Sequence, residues 1–155
     1  MKNNQEIERK FLVRGDYKAY ASSSSRIKQA YICASRGNTT RVRIRDDKAY
    51  LTIKGPSLGI SRFEWEKEIS LEDAQSLMSL CAGAYIDKTR YLVPFGGHIF
   101  EVDEFYGDNE GLTLAEVELS SENEVFERPE WLGEEVSSDP RYRNSQLLSN
   151  PYRKW

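Results

Sequence analysis

The stretch "EIERKFLV" (Glu6–Val13) decides how this chain is read. Successive side chains of a β-strand point to opposite sides of its sheet, so Glu6, Glu8 and Lys10 share one face and Ile7, Phe11 and Val13 share the other. On one strand, water wetting the charged face explains such a pattern. The same pattern recurs down the chain. "TTRVRIRD" (Thr39–Asp46) places Arg41, Arg43 and Arg45 together, and "KAYLTIKG" (Lys48–Gly55) places Tyr50, Thr52 and Lys54. "RFEWEKEI" groups Arg62, Glu64, Glu66 and Glu68, while "DKTRYLV" carries Lys88 and Arg90. "FEVDEF" contributes Glu101 and Asp103, and "LAEVELS" contributes Glu116 and Glu118. The opposite faces are apolar, as in Val42 and Ile44, Leu51 and Ile53, Phe63 and Trp65, Val117 and Leu119.

Period-2 alternation bounded by turn residues predicts strands near 5–13, 26–34, 39–46, 48–55, 61–70, 85–94, 98–105 and 112–120. Asp46–Asp47 reads as a tight turn, and residues 55–59 and 94–97 as longer connections. A helix is expected over 71–82, with Ser70 as its N-cap, acids in its first turn and Gly83 as its stop. Shorter helical pieces are expected near 122–127 and 143–149. The 155 residues suit one domain, 1–155. The fold class is α+β, mainly β: an eight-stranded antiparallel barrel, closed so that no edge is left open, with a few helices outside.

Charge is sorted by strand, although like charges facing each other across a sheet are unfavourable. With a two-residue turn at Asp46–Asp47, Arg43 falls opposite Tyr50 and Arg41 opposite Thr52, with Lys54 diagonal to Arg41. These cations form a patch with no acid among them. The acids gather in doublets, Glu6/Glu8, Glu64/Glu66 and Glu116/Glu118. A multiply charged anion suits the first patch and divalent cations suit the second. Turned inward, the two sets supply what metal-assisted phosphoryl transfer needs, which is charge neutralisation and positioning. The outer face must then be apolar and covered by the helix at 71–82, by the C-terminal segment and by a second copy of the chain as a homodimer partner.

Composition narrows the alternatives. A net charge of −3 gives no overall steering toward nucleic acid or an acidic membrane. The N-terminus lacks an apolar signal core, and no apolar run approaches the roughly 20 residues that span a bilayer, so a cytoplasmic location is expected. Cys33 and Cys81 fit no metal spacing and read as buried thiols. With His98 as the one histidine, any metal is held by carboxylates, which selects Mg²⁺ or Mn²⁺. His98 reads as a surface residue beside a hairpin turn, Phe63 and Trp65 as outer-face packing, and Trp131 and Leu132 as packing against the barrel.

These residues also carry a family likeness. "EIERK" matches the ExExK motif of the CYTH superfamily, the triphosphate tunnel metalloenzymes. "IKQAY", "TRVRIR", "LTIKG", "FEWEKEI", "DKTRY", "FEVDEF" and "LAEVEL" follow in that family's order over nearly the whole chain. The resemblance implies a barrel whose tunnel binds triphosphates with divalent metal. It implies metal ligands at Glu6, Glu8, Glu116 and Glu118, with Asp103, Glu64 or Glu66 helping to hold a second metal or the attacking water. It implies that Lys10, Lys28, Arg41, Arg43, Lys54 and Arg90 grip phosphate oxygens, and that Lys88 and Tyr31 tune catalysis. Lys28 and Tyr31 have opposite parity, so either a bulge separates them or only one faces the lumen.

The chain looks most similar to the small bacterial triphosphatase branch, which implies hydrolysis of tripolyphosphate to pyrophosphate and phosphate. A class IV-type adenylate cyclase would use the same grip on ATP, and a non-catalytic polyphosphate- or nucleotide-binding module would use the basic patch alone. Against that module, so many aligned carboxylates disfavour an anion site unless metals fill it. A nucleic-acid role for Tyr50, Trp65 and Tyr91 conflicts with the acid-lined lumen. Arg141 and Arg143 are expected to close over the tunnel mouth.

Overall fold

The computed structural model describes residues 4–81 and 83–155. Nine strands form one sheet: β1 (Gln5–Val13), β2 (Ser23–Ser35), β3 (Asn38–Arg45), β4 (Lys48–Leu58), β5 (Ser61–Ile69), β6 (Ile86–Phe95), β7 (His98–Phe105), β8 (Thr113–Glu118) and β9 (Leu132–Glu135). Their order is β5-β4-β3-β2-β6-β7-β8-β1-β9, all neighbours antiparallel, and a further β5–β1 pairing closes the first eight into a barrel.

The ninth strand was not expected. β1 pairs with β8 along one edge and with β5 along the other, but β5 reaches only Gln5, Glu6 and Ile7. β9 takes over that edge at Phe11 and Val13. Gly133 makes the approach sterically feasible, because a Cβ there would lie 2.9 Å from the carbonyl oxygen of Leu12. Four residues with one glycine give too short an alternation to read as a strand.

The α1 helix (Leu71–Met78) starts as expected, with Ser70 Oγ accepting the amide of Asp73 at 3.0 Å. A 3₁₀ turn, Ser79–Cys81, follows; Ala82, the last residue of the expected helix, lies outside the described residues. The α2 helix (Asn144–Ser149) matches the expected C-terminal piece. The helix expected at 122–127 does not form. An extended path lets Phe126 insert edge-on between Phe11 and Phe100, at 5.9 and 6.2 Å, and that packing overrides local propensity. Among the described residues no helix is long and apolar enough to cross a membrane.

Three apolar clusters fix the barrel. Outside β1, β6, β7 and β8, Phe11, Val93, Phe100, Val102 and Val117 pack under Tyr17, Trp131 and Leu132, so Trp131 and Leu132 do cover the barrel. Outside β2, β3 and β4, Ala30, Val42 and Ala49 lie under Ala74 of α1. The third cluster is inward. Ile86, Phe105 and Leu114 pair with inward-facing residues of neighbouring strands, and Val136, Tyr142 and Leu147 pack onto them, so the C-terminal segment plugs this end of the lumen.

Ile53 and Phe63 remain 39% and 47% exposed on the outer face, with Trp65 half-buried beside them. Cys33 is exposed and Cys81 half-buried, which corrects the expectation that both are buried: Cys33 lies beyond a bulge at the far end of the β2–β3 ribbon, past the cover of α1. His98 is half-buried and joined through Nε2 to Glu124, so it is a partnered residue and not a free surface one.

Candidate functional site

The lumen is a cavity of about 270 Å³ whose walls come from alternate residues of the barrel strands. Register fixes which residues face it. Arg41 pairs with Tyr31 and Thr52, Arg43 with Gln29 and Tyr50, Lys54 with Glu64, and Arg90 with Asp103. The tight turn at Asp46 (φ 53°) sets the β3–β4 register, and Arg43 and Arg41 stand opposite Tyr50 and Thr52 as the alternation requires.

On the cationic wall, Arg41, Arg43, Lys88 and Arg90 are each less than a tenth exposed. Each is held by a polar partner. Arg90 donates Nε and Nη2 to the two oxygens of Asp103, at 2.8 and 2.9 Å, and Nη1 to Glu101 at 3.0 Å. Lys88 Nζ donates to Asp103 at 2.7 Å and to Asn144 Oδ1 at 2.9 Å. Arg43 Nε donates to Gln29 Oε1 at 2.8 Å. Arg41 Nη2 donates to Thr52 at 3.2 Å and lies 3.5 Å from Glu66, but its Nε is buried without a partner among the described residues. Burial pulls Lys88 down to about 7, with Arg90 and Arg43 adding to the effect against the support of Asp103. Burial likewise lowers Arg43 to about 9, reinforced by Arg41 and Arg90.

The acidic wall is built differently. Glu8 stands directly opposite Glu118 and Glu101 directly opposite Glu116, so like charges face each other across the ladder. Burial raises Glu8 well above the ordinary carboxylate value, and Glu116 and Glu6 push it further. Burial also raises Glu118, with Glu6 and Glu101 adding repulsion. Glu6 is raised by burial too, although Lys54 donates to it at 2.8 Å. Glu116 is the exception: burial acts upward, but Lys10, Arg90 and Lys88 hold it low. Lys54 also lies 3.3 Å from Glu64, so acids do stand among the cations, which corrects the expected acid-free patch. The β4–β5 register sets Glu64 and Glu66 opposite Lys54 and Thr52, and the closing β5–β1 pairing brings Glu6 within reach of Lys54.

Glu6, Glu8, Glu116 and Glu118 thus share one wall on two adjacent strands. Their donor set is entirely oxygen, and three of the four are kept from easy ionisation by one another and by burial, which fits a hard divalent cation. Among the described residues no three of them already converge on one point, because Glu6 is turned to Lys54 and Glu116 to Lys10.

Two expected site residues are misplaced. The β2 bulge falls between Tyr31 and Cys33, after Tyr31, so parity from Lys28 to Tyr31 is regular. Tyr31 faces the lumen. Lys28 faces outward, exposed, with its Nζ 5.5 Å from the Tyr85 ring, and cannot reach a phosphate in the lumen. Gln29 holds the inward position instead, fully buried. Asp103 is 1% exposed with both oxygens engaged by Arg90 and Lys88, so here it anchors the cationic wall. Of the two tail arginines, Arg143 lines the cavity, whereas Arg141 pairs with Asp139 and stacks on Trp155 away from it. Glu64 and Glu66 line the cavity as expected.

Sequence reasoning missed Gln29, Arg62, Ser137 and Asn144 as site residues. Arg62 was visible through its parity with Glu64, and it pairs with Glu6 across the closing seam. Ser137 reaches the lumen from an irregular segment and Asn144 from the first residue of α2, outside the strands whose alternation marks inward positions.

A family model for the CYTH domain matches residues 4–147. The chain belongs to the CYTH family. CYTH triphosphate tunnel metalloenzymes are in general metal-dependent, in keeping with the all-oxygen donor set. The chain is 49% identical over 154 residues to an inorganic triphosphatase of Acetivibrio thermocellus, covering 97% of each. It is 37% identical over 153 residues to an inorganic triphosphatase of Nitrosomonas europaea, covering 94% of this chain and 99% of that one. The crystal structure of an inorganic triphosphatase superposes with a TM-score of 0.68 at 32% identity, covering 92% of this CYTH chain and 97% of the other.

Proposed function

We propose that this chain, acting as one domain, is a metal-dependent triphosphatase that hydrolyses inorganic tripolyphosphate to pyrophosphate and phosphate in its lumen. The observation that carries this reading is the division of the lumen into a neutralised cationic wall and an under-neutralised acidic one. The names of its CYTH relatives support it. Apart from Tyr31, Gly59 and Ile60 the cavity is lined by charged and polar residues, which gives a base or thiazole ring little to pack against and favours an inorganic chain.

In this reading Arg41, Arg43, Arg90, Lys54 and Lys10 hold the non-bridging phosphate oxygens, and the unpartnered Nε of Arg41 takes one of them. Mg²⁺ or Mn²⁺ bound by Glu6, Glu8, Glu116 and Glu118 supplies charge neutralisation for the triphosphate. Glu64 and Glu66 accept hydrogen bonds from the attacking water and orient it in line with the terminal phosphorus. The new P–O bond forms as the bridging P–O bond breaks, and the water's proton passes to a nearby carboxylate. Lys88, held at about 7, and the Tyr31 hydroxyl stand beside the departing charge and offset it. Residence in the cytoplasm, and a homodimer that covers Ile53 and Phe63, belong to the same reading.

Phosphate release from tripolyphosphate, ATP and thiamine triphosphate with Mg²⁺ or Mn²⁺, beside a cyclic AMP assay, tests the proposal. Tripolyphosphate is expected to be the best substrate and chelator to abolish its turnover. Cyclic AMP with pyrophosphate from ATP would replace this reading with a cyclase, and tight binding without turnover would replace it with a binding module.

A further inference from the structure

Gln29 sits at the inward position next to Lys28, where the sequence suggested a cation, and three of its four hydrogen-bonding positions are used. Oε1 accepts from Arg43 Nε at 2.8 Å, while Nε2 donates to the Tyr31 hydroxyl at 3.3 Å and to Asn144 Oδ1 at 3.1 Å. Asn144 Oδ1 in turn accepts from Lys88 Nζ at 2.9 Å. Both lone pairs of that oxygen are therefore occupied by donors. Flipping the Asn144 amide would set its NH₂ group against an ammonium and another NH₂, so one orientation is fixed.

The result is a chain of contacts from Arg43 through Gln29 and Asn144 to Lys88, passing from β2 into the C-terminal segment and back to β6. It is neutral at both amides. A carboxylate at either position would cancel a cation of the phosphate-binding wall, and a further cation would repel Arg43 or Lys88.

Retaining the tail does not depend on these amides. Leu147 is fully buried and Tyr142 nearly so, packed on Ile86, Phe105 and Leu114, and Lys10 Nζ donates to the Tyr142 carbonyl at 3.0 Å. The amides instead restrict where Arg43 and Lys88 point. We propose that Gln29 and Asn144 are positioning residues that act as one unit, through which the C-terminal segment holds Arg43 and Lys88 in the geometry the transition state requires. The inference rests on the triphosphatase reading for its kinetic consequence, though not for the contacts themselves.

The test is a double-mutant cycle of Gln29→Met and Asn144→Leu on tripolyphosphate turnover. Each single variant is expected to lower kcat roughly 10- to 100-fold with a smaller change in KM, because misplaced cations fail in the transition state more than in substrate binding. If the two residues act as a unit, the double variant falls no further than the worse single one. Asn144→Asp keeps an acceptor for both donors but sets a negative charge against Lys88, so it is expected to lower kcat as well. Multiplicative losses, or variants that melt early yet turn over normally when folded, would overturn the proposal. A second readout needs no turnover: exchange of the Arg43 Nε–H proton, followed by NMR, is slow in the wild type and accelerates in Asn144→Leu, which does not touch Arg43. Unchanged exchange refutes the relay whatever the enzyme does. Absence of wild-type turnover refutes the triphosphatase reading and leaves that exchange test to decide the relay.

Discussion

On the β3–β2–β6 side of the lumen, Arg41, Arg43, Lys88 and Arg90 are buried and each is already met by a carboxylate, amide or hydroxyl. On the β1–β8 side, Glu8 and Glu118 face each other, and the cations nearby serve Glu6 and Glu116 instead. Strand alternation produces both walls, yet only one is balanced from within. Asp103 shows the difference best. Burial alone would raise it, but Arg90 and Lys88 hold it low; Glu8, half-buried, has acids as its neighbours and is driven up. In the triphosphatase reading the balanced wall is pre-organised for an anion, and the unbalanced wall would be stabilised by a cation from outside the chain.

The largest expected effect comes from breaking the acidic wall where the two walls meet. Glu116→Gln should reduce tripolyphosphate turnover by about 10³-fold, measured as phosphate release at saturating Mg²⁺, because it removes a cation ligand and the partner of Lys10 together. Next, Asp103→Asn should cost about 3 kcal/mol in urea denaturation, since it strips the shared counter-charge from two buried cations. The lower end of the usual range applies because Lys88, at about 7, can shed its proton when Asp103 is neutralised.

pH separates the walls by sign. Asp103 and Glu116 have lowered values, so their stabilising contribution is present above the unfolded carboxylate value and is lost as pH falls through their folded values. Glu6, Glu8 and Glu118 have raised values. In chelator, their folded forms therefore lose stability as pH climbs above the ordinary 4.5 toward those raised values. Melting curves across pH 4–8 should show that decline, and Glu8→Gln should reduce it. The smallest effect is expected at Lys28→Ala, on the outer face. Turnover and stability there should stay within about 0.5 kcal/mol of wild type.

Much of this contrast is legible in the sequence. Strict period-2 alternation in "EIERK", "TRVRIR" and "LAEVEL" commits Glu6, Glu8, Arg41, Arg43, Glu116 and Glu118 to one side, since a one-residue slip would bury the wrong face. At Lys28 and Tyr31 the parity conflict was visible, but only the position of the bulge decides which residue turns inward. What Asp103 does was hidden because its parity matches that of a metal ligand; the register that places Arg90 opposite it is a fact of strand pairing. Asn144 was hidden for another reason: it meets Gln29 across 115 positions of chain, from the start of α2, where strand parity says nothing about the lumen. Phe126 likewise follows its aromatic partners and not its local helix propensity.

If the acidic wall is left unbalanced for a divalent cation, melting temperature will show it. Wild type and Glu8→Gln are compared at pH 7 in chelator and again in Mg²⁺ or Mn²⁺. The wild type is expected to melt below the variant in chelator, by roughly 2–4 °C for each kcal/mol of repulsion relieved, and to rise well above its own chelator value when the cation is added, while Glu8→Gln responds weakly. Equal melting in chelator together with an equal rise in both proteins would contradict the account.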